Sequence, residues 1–142
     1  MIVLDTTVLV YAKGQDHPFQ GPCGALIEAI ADGRIEATTS TEVIQEFVHV
    51  RARRRDRRDA VSLGRGYAEL LSPLISISAA QLSNGLAIFE REERPGPFDA
   101  VLAASAAAAD ATALVSADAG FGNVDVIRHV VPDTAGVAEL LA

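Results

Sequence analysis

Short apolar runs alternate with longer stretches in which apolar side chains recur at helical spacing. Met1 to Leu4 reads as a short buried strand, and Val8 to Tyr11 as one or two helical turns. Lys13 to Pro18 is a loop, and Pro18 opens a helix to about Asp32 with Gly33 as its C′ residue. Ile35 to Thr38 is a second strand. Thr39 with Glu42 has the form of a capping box opening a helix through about Val50. A helix from about Arg57 to Leu71 follows, loosened by Gly64 and Gly66, and Pro73 precedes a short strand from Leu74 to Ile77. Ser78 caps a helix over Ala79 to Glu92, and the loop Arg94-Pro95-Gly96-Pro97 leads to another over Phe98 to Ala109. Strands at Ala113 to Val115 and Val126 to Val131 precede a terminal helix over Thr134 to Leu141.

This order predicts the α/β class: a three-layer α/β/α arrangement around a short, mostly parallel sheet. The 142 residues fit a single domain spanning 1–142, with no repeat or linker. Hydrophobic residues make up 49% of the chain and Trp is absent, so Leu, Val, Ile and Ala must fill the core. The one cysteine, Cys23, forms no intramolecular disulfide and reads as a small residue near a helix start, which fits a reducing, cytoplasmic compartment. MIVLDTTVLV lacks a basic n-region and is interrupted by Asp5, so it is not expected to be a signal peptide. No apolar run reaches the ~18 residues of a membrane helix, so no membrane association is expected.

A net charge of −7 argues against a nucleic-acid partner, but the average hides an asymmetry. Arg51, Arg53, Arg54, Arg55, Arg57 and Arg58 supply half of the 12 basic residues. A local patch can hold phosphates whatever the global charge. The alternative reading is a solvated junction between helices, paired with Asp56 and Asp59. Arg53, Arg54 and Arg55 are therefore candidate contacts for RNA or a protein partner.

Four acids fall beside strand ends or near helix starts: Asp5, Glu46, Asp99 and Asp118. Each has an ordinary explanation alone, as a helix cap, a surface glutamate or a turn residue. Together they fall on the side of a parallel sheet where ligands bind, beyond the carboxyl ends of the strands. Two unit charges about 4 Å apart cost roughly 4 kcal/mol at an effective dielectric of 20, so such a cluster needs a counter-charge. Hard divalent cations are the usual one, which points to a metal-dependent enzyme, with phosphodiesters as the expected substrate. Glu46 borders the helical stripe of Val43, Phe47 and Val50, whereas Glu42 lies opposite it. Thr6, Thr7 and Ser116 place hydroxyls beside these acids. Asp125 is ambiguous, with an outer position at the site as one reading. His17, His49 and His129 lack metal-ligand spacing and read as structural or surface residues.

Four segments in order, MIVLDTT, Val43-Ile-Gln-Glu46-Phe, Phe98-Asp99-Ala-Val-Leu-Ala-Ala104 and Ser116-Ala-Asp118-Ala-Gly-Phe121, give the chain its family likeness. Over essentially its whole length it resembles a PIN-domain ribonuclease of the VapC type, the toxin half of a bacterial toxin–antitoxin pair. That resemblance implies RNA cleavage dependent on Mg²⁺ or Mn²⁺ at Asp5, Glu46, Asp99 and Asp118, with Thr7 and Ser116 as supporting hydroxyls. It also implies a small VapB-like antitoxin as partner and frequent homodimerisation. Asp5, Asp99 and Asp118 would hold one ion, with Glu46 binding a second or acting through water. One departure is Gly122-Asn123 after Phe121, where a charged pair is usual.

Competing readings have less support. A haloacid-dehalogenase-type phosphotransferase would need an acid where Thr7 stands. A response-regulator receiver would need an acidic pair after the first strand and a late lysine, and the only lysine is Lys13. The stronger alternative is a PIN-like RNA- or protein-binding module with little catalysis.

Overall fold

Ile2, Val3 and Leu4 are each at most 2% exposed, and burial on both faces explains why the run shows no polar alternation. They form strand β1 (Ile2–Leu4) of the computed structural model, which describes residues 1–14 and 16–142. Gln15, inside the expected loop from Lys13 to Pro18, lies outside the described residues. With β2 (Ala37–Thr38), β3 (Ala113–Val115) and β4 (His129–Val130), β1 builds an all-parallel sheet in the order β2-β1-β3-β4. Leu4 is in register with Val115, and Val115 with Val130. Parallel register puts every strand's carboxyl end on one edge, where the chain leaves at Asp5, Thr39 and Ser116.

Helices flank this sheet, giving the α/β class expected. They are α1 (Thr6–Ala12), α2 (Gln20–Ala31), α3 (Thr41–Arg54), α4 (Arg57–Leu70), α5 (Ala79–Arg91), α6 (Pro97–Ala108) and α7 (Thr134–Leu141). The Ala-rich α6 buries Ala100 through Ala106. Its partner α5 approaches through Gly85, where a Cβ would stand 2.5 Å from the Val101 Cα. Gly64 likewise does not loosen α4: a Cβ there would meet Val48 of α3 at 2.4 Å, so the glycine permits the α3–α4 contact. Gly33 adopts φ +72, the left-handed conformation of a helix C′ residue. Buried Leu26, Phe47, Leu71, Ile88 and Phe121 join the strands in one core, each contributing about 1.5–3 kcal/mol on burial.

Several expected boundaries shift for local reasons. The helix expected from Pro18 begins at Gln20, because a turn precedes it: the Phe19 N–H donates to His17 Nδ1 at 3.0 Å and the Gln20 N–H to the His17 carbonyl at 3.0 Å. Ser40, not Thr39, caps α3, its Oγ accepting from the Val43 N–H at 3.2 Å. The Thr39 hydroxyl instead donates to the Leu4 carbonyl at 2.6 Å. The same helix continues past Val50 to Arg54, with three arginines in its last turn, where positive charge is favourable.

No strand forms over Leu74 to Ile77. Ile75 makes a single parallel bridge to Ser40, while the Leu71 and Pro73 carbonyls lie within hydrogen-bond distance of the Thr38 hydroxyl, at 2.9 and 2.8 Å. Ile75 exchanges backbone bonds with Thr39 and Thr41 around that bridge, and the pairing extends no further. The second strand shrinks to Ala37–Thr38 and the last to His129–Val130. A short 3₁₀ turn over Ala119–Asn123, which the sequence did not suggest, follows Asp118.

Candidate active site at the carboxyl edge of the sheet

Asp5 stands where β1 becomes α1, 5% exposed, capping the helix it opens. Asp99 occupies the first turn of α6, half-buried, after Gly96 and Pro97 start the helix. Asp118 follows β3 and caps the 3₁₀ turn, its Oδ1 accepting from the Gly120 N–H at 2.8 Å. Glu46 reaches in from the middle of α3, where its Oε2 accepts from the Thr6 hydroxyl at 3.1 Å. All four line one open cleft of about 620 Å³.

Two hydroxyls hold the deepest carboxylate. Thr7 Oγ1 and Ser116 Oγ both donate to Asp5 Oδ2, at 2.9 and 2.7 Å. Each hydroxyl also accepts a backbone N–H, Thr7 from Ala117 at 3.0 Å and Ser116 from Asp118 at 3.0 Å. The loop after β3 is thereby tied to the end of β1, and Asp5 is fixed through one oxygen.

Burial, together with the charges of Asp5, Asp118 and Glu46 and the Asp118 contact, pushes Asp99 up to about 7. The cleft thus carries an excess of negative charge that Arg54, the one arginine in its described lining, does not balance. Among the described residues no three acid, histidine or cysteine side chains converge tightly enough to grip an ion between them. Their oxygens are partly engaged by the protein donors above. The donor set still fits a hard divalent cation. It is all oxygen, one member is buried and another half-buried, and Mg²⁺ keeps several waters and needs only one or two direct carboxylates.

The arginine segment divides by role. Arg51 donates to Asp59 at 2.6 Å and to the Lys13 carbonyl at 3.1 Å, holding Asp59 below the usual carboxylate range and pinning the loop after α1. Asp56 caps α4. Arg54 lines the cleft, whereas Arg53 and Arg55 do not. Asp125, left ambiguous by sequence, pairs with Arg91 at 3.2 Å and is outside the cleft lining. His129 rests on the Ser116 carbonyl at 2.9 Å, a structural position. Burial pushes the Cys23 thiol up to about 12, so it is inert core.

Sequence reasoning missed one wall of the cleft, formed by Tyr11, Asp16 and His17. The available signal was aromatic residues close to Asp5 in a polar loop. It also missed an apolar groove of about 900 Å³, lined by Val43, Ile77, Leu82, Leu86 and Phe98, which shares Asp5, Glu46 and Asp99 with the cleft. No helix among the described residues is long and apolar enough to cross a membrane.

A PIN-domain model matches residues 2–127. The chain is 57% identical to Ribonuclease VapC7 of Mycobacterium tuberculosis over 99% of its length and 98% of that relative. A shorter match, 37% identity over 34% of the chain and 39% of the relative, is to Ribonuclease VapC23 of the same organism. The fold is similar to the crystal structure of VapBC2 from Rickettsia felis bound to a DNA fragment from their promoter. The TM-score is 0.71 at 19% identity, covering 92% of this chain and 98% of that one.

Proposed function

The chain belongs to the PIN-domain family, and on that premise we propose that it is a divalent-cation-dependent endoribonuclease acting as the toxin of a toxin–antitoxin pair. The observation that carries this reading is the meeting of Asp5, Glu46, Asp99 and Asp118 on one cleft. The likeness to Ribonuclease VapC7 over nearly the full length supports RNA as the substrate.

Asp5, Asp99 and Asp118 would hold Mg²⁺ or Mn²⁺. When bound, the ion supplies Lewis-acid stabilisation of charge on the scissile phosphate and a more acidic water. The chain's own residues position the reaction. Thr7 and Ser116 fix Asp5, and the Thr6 hydroxyl orients Glu46, which accepts a proton from the attacking water or helps bind a second ion. Arg54 faces the phosphate backbone. Attack by water needs no 2′-hydroxyl, so products end in 5′-phosphate and 3′-hydroxyl.

A VapB-like antitoxin is the proposed protein partner. The apolar groove beside the acids suits an apolar segment carrying a basic residue, because an occupant there would cover Leu82, Leu86 and Phe98 and reach Glu46 and Asp99. Such an occupant would exclude RNA from the cleft.

Incubating purified protein with a mixed RNA pool and Mg²⁺ or Mn²⁺, beside EDTA and Asp5→Asn controls, tests the reading. Metal-dependent cutting that is lost in the Asn variant, with 5′-phosphate ends, is expected. Cutting that survives Asp5→Asn, or 2′,3′-cyclic phosphate ends, would overturn the mechanism. RNA bound but never cut by folded, metal-loaded protein would favour the binding-module alternative.

A further inference from the structure

Three aromatic rings pack together beside the acid cleft, and two of them, Tyr11 and His17, line it. Tyr11 and His17 stack with ring centroids 4.3 Å apart, and Phe19 packs edge-on against both, at 5.6 and 5.2 Å. The Phe19 N–H donates to His17 Nδ1 at 3.0 Å, which fixes the ring with that nitrogen as acceptor. Two further bonds hold backbone that precedes His17: Arg51 on the Lys13 carbonyl and Gln20 Nε2 on the Gly14 carbonyl at 2.9 Å. Despite these restraints His17 is exposed, and it lines the cleft with Tyr11 and Arg54. Tyr11 and Phe19 are half-buried against the core, so His17 is the ring of the three left to solvent.

We infer that the His17 ring, backed by Tyr11, is the seat on which an unpaired nucleobase of the RNA stacks, with Arg54 holding the phosphate beside it. The cleft, at about 620 Å³, lies within the roughly 300–1,000 Å³ range of small-molecule sites and exceeds the needs of a phosphate alone. Single-stranded nucleic acid is bound by this pairing of aromatic faces with a cation on the backbone. Stacking is tolerant of base identity, so the seat sets a requirement for an unstacked nucleotide near the cut rather than a strict base code. The inference rests on the ribonuclease reading above and names the part of the substrate that the cleft grips.

The test takes the best-cut sequence from the RNA pool as substrate for the full chain. His17→Ala should raise KM roughly 5- to 100-fold with kcat little changed, and His17→Phe should restore KM. Unchanged KM in His17→Ala would overturn the seat. A loss that Phe does not rescue would also overturn it, by assigning the role to the ring nitrogens. A second readout does not depend on cleavage. The chain has no tryptophan, so His17→Trp in the Asp5→Asn background carries the only indole. Short oligo(A), oligo(U), oligo(C) and oligo(G) RNAs, with Mg²⁺, should each quench its fluorescence on binding. Should the wild-type protein cut no RNA, the ribonuclease reading fails, and this quenching still decides the seat: quenching sustains it and unaltered emission overturns it.

Discussion

The Ser116 hydroxyl donates to the buried Asp5 carboxylate at 2.7 Å across 111 positions of sequence. Because β1 and β3 are neighbours in register, residues just past their ends meet, and this bond joins them. Ser116 is itself fully buried and accepts from the Asp118 N–H. Ser116→Ala therefore leaves a buried charge short of a donor and a backbone N–H without its partner. A loss of about 1–3 kcal/mol in unfolding free energy is expected. In an Asp5→Asn background the same substitution should cost less, because the charge is gone. A double-mutant cycle by urea denaturation measures the difference, and strict additivity would mean that the bond stabilises nothing.

Asp99 gives the metal-free protein a pH dependence whose sign can be worked out. Burial, then the charges of Asp5, Asp118 and Glu46, raise its folded-state pKa to about 7 from an ordinary 3.8. The folded state then holds a proton that the unfolded chain has lost, so this contribution to stability is present below about pH 4 and disappears as pH rises through 7. Thermal melts in EDTA should show wild-type Tm falling between pH 5 and 8. Asp99→Asn should flatten that fall and exceed wild type at pH 8. A wild-type Tm that is level across this range would remove the repulsion from the description of the cleft.

Much of the cleft lay within reach of the sequence, because acids within a few residues past the end of an apolar strand lie at the carboxyl edge of a parallel sheet. Asp5 and Asp118 follow from that rule, and Glu46 from its place beside the Val43–Phe47 stripe. The same local logic failed where the backbone or side-chain partner lies far away in sequence. Thr39 gives up its capping role to bond Leu4, and Ile75 makes one bridge to Ser40 that does not extend into a strand. Arg51 and Arg54 were indistinguishable by composition. Only the return of the loop after α1 across the end of α3 engages one and leaves the other on the cleft. The Tyr11–His17 face was hidden for the same reason, since ring stacking across a loop has no periodicity to read.

Two glycine substitutions separate packing from helix propensity. In α5, a Cβ at Gly85 would meet the Val101 Cα at 2.5 Å and its backbone N at 2.9 Å, and backbone cannot swing aside. Gly85→Ala should push α5 from α6 and cost about 1–3 kcal/mol, typical of overpacking. In α2, nothing lies within 4 Å of a Cβ at Gly24, so Gly24→Ala should stabilise by about 0.5–1 kcal/mol through helix propensity alone. Paired chemical denaturation curves should move in opposite directions. A stabilised Gly85→Ala would show that the helices repack freely.

Arginines 51, 53 and 54 share the last turn of α3, yet their surroundings predict three different outcomes. Arg54 lines the cleft, and among the described residues it pairs with no acid there. If it neutralises an RNA phosphate, Arg54→Ala should weaken binding and reduce the slope of log affinity against log salt by about 0.7, the single-strand value for one contact. Arg53 is exposed outside the cleft lining, so Arg53→Ala should leave both affinity and slope near wild type. Arg51→Ala breaks the bonds to Asp59 and the Lys13 carbonyl, releasing α4 and the loop that carries His17. It should lower Tm and weaken RNA binding without changing the salt slope, because no phosphate contact is lost directly. Salt titrations of RNA binding for the three variants, in the Asp5→Asn background to prevent turnover, distinguish these outcomes. Equal reductions in slope for Arg53→Ala and Arg54→Ala would mean that phosphate recognition is spread over the whole basic turn rather than focused at the cleft. No reduction in either would remove Arg54 from phosphate recognition.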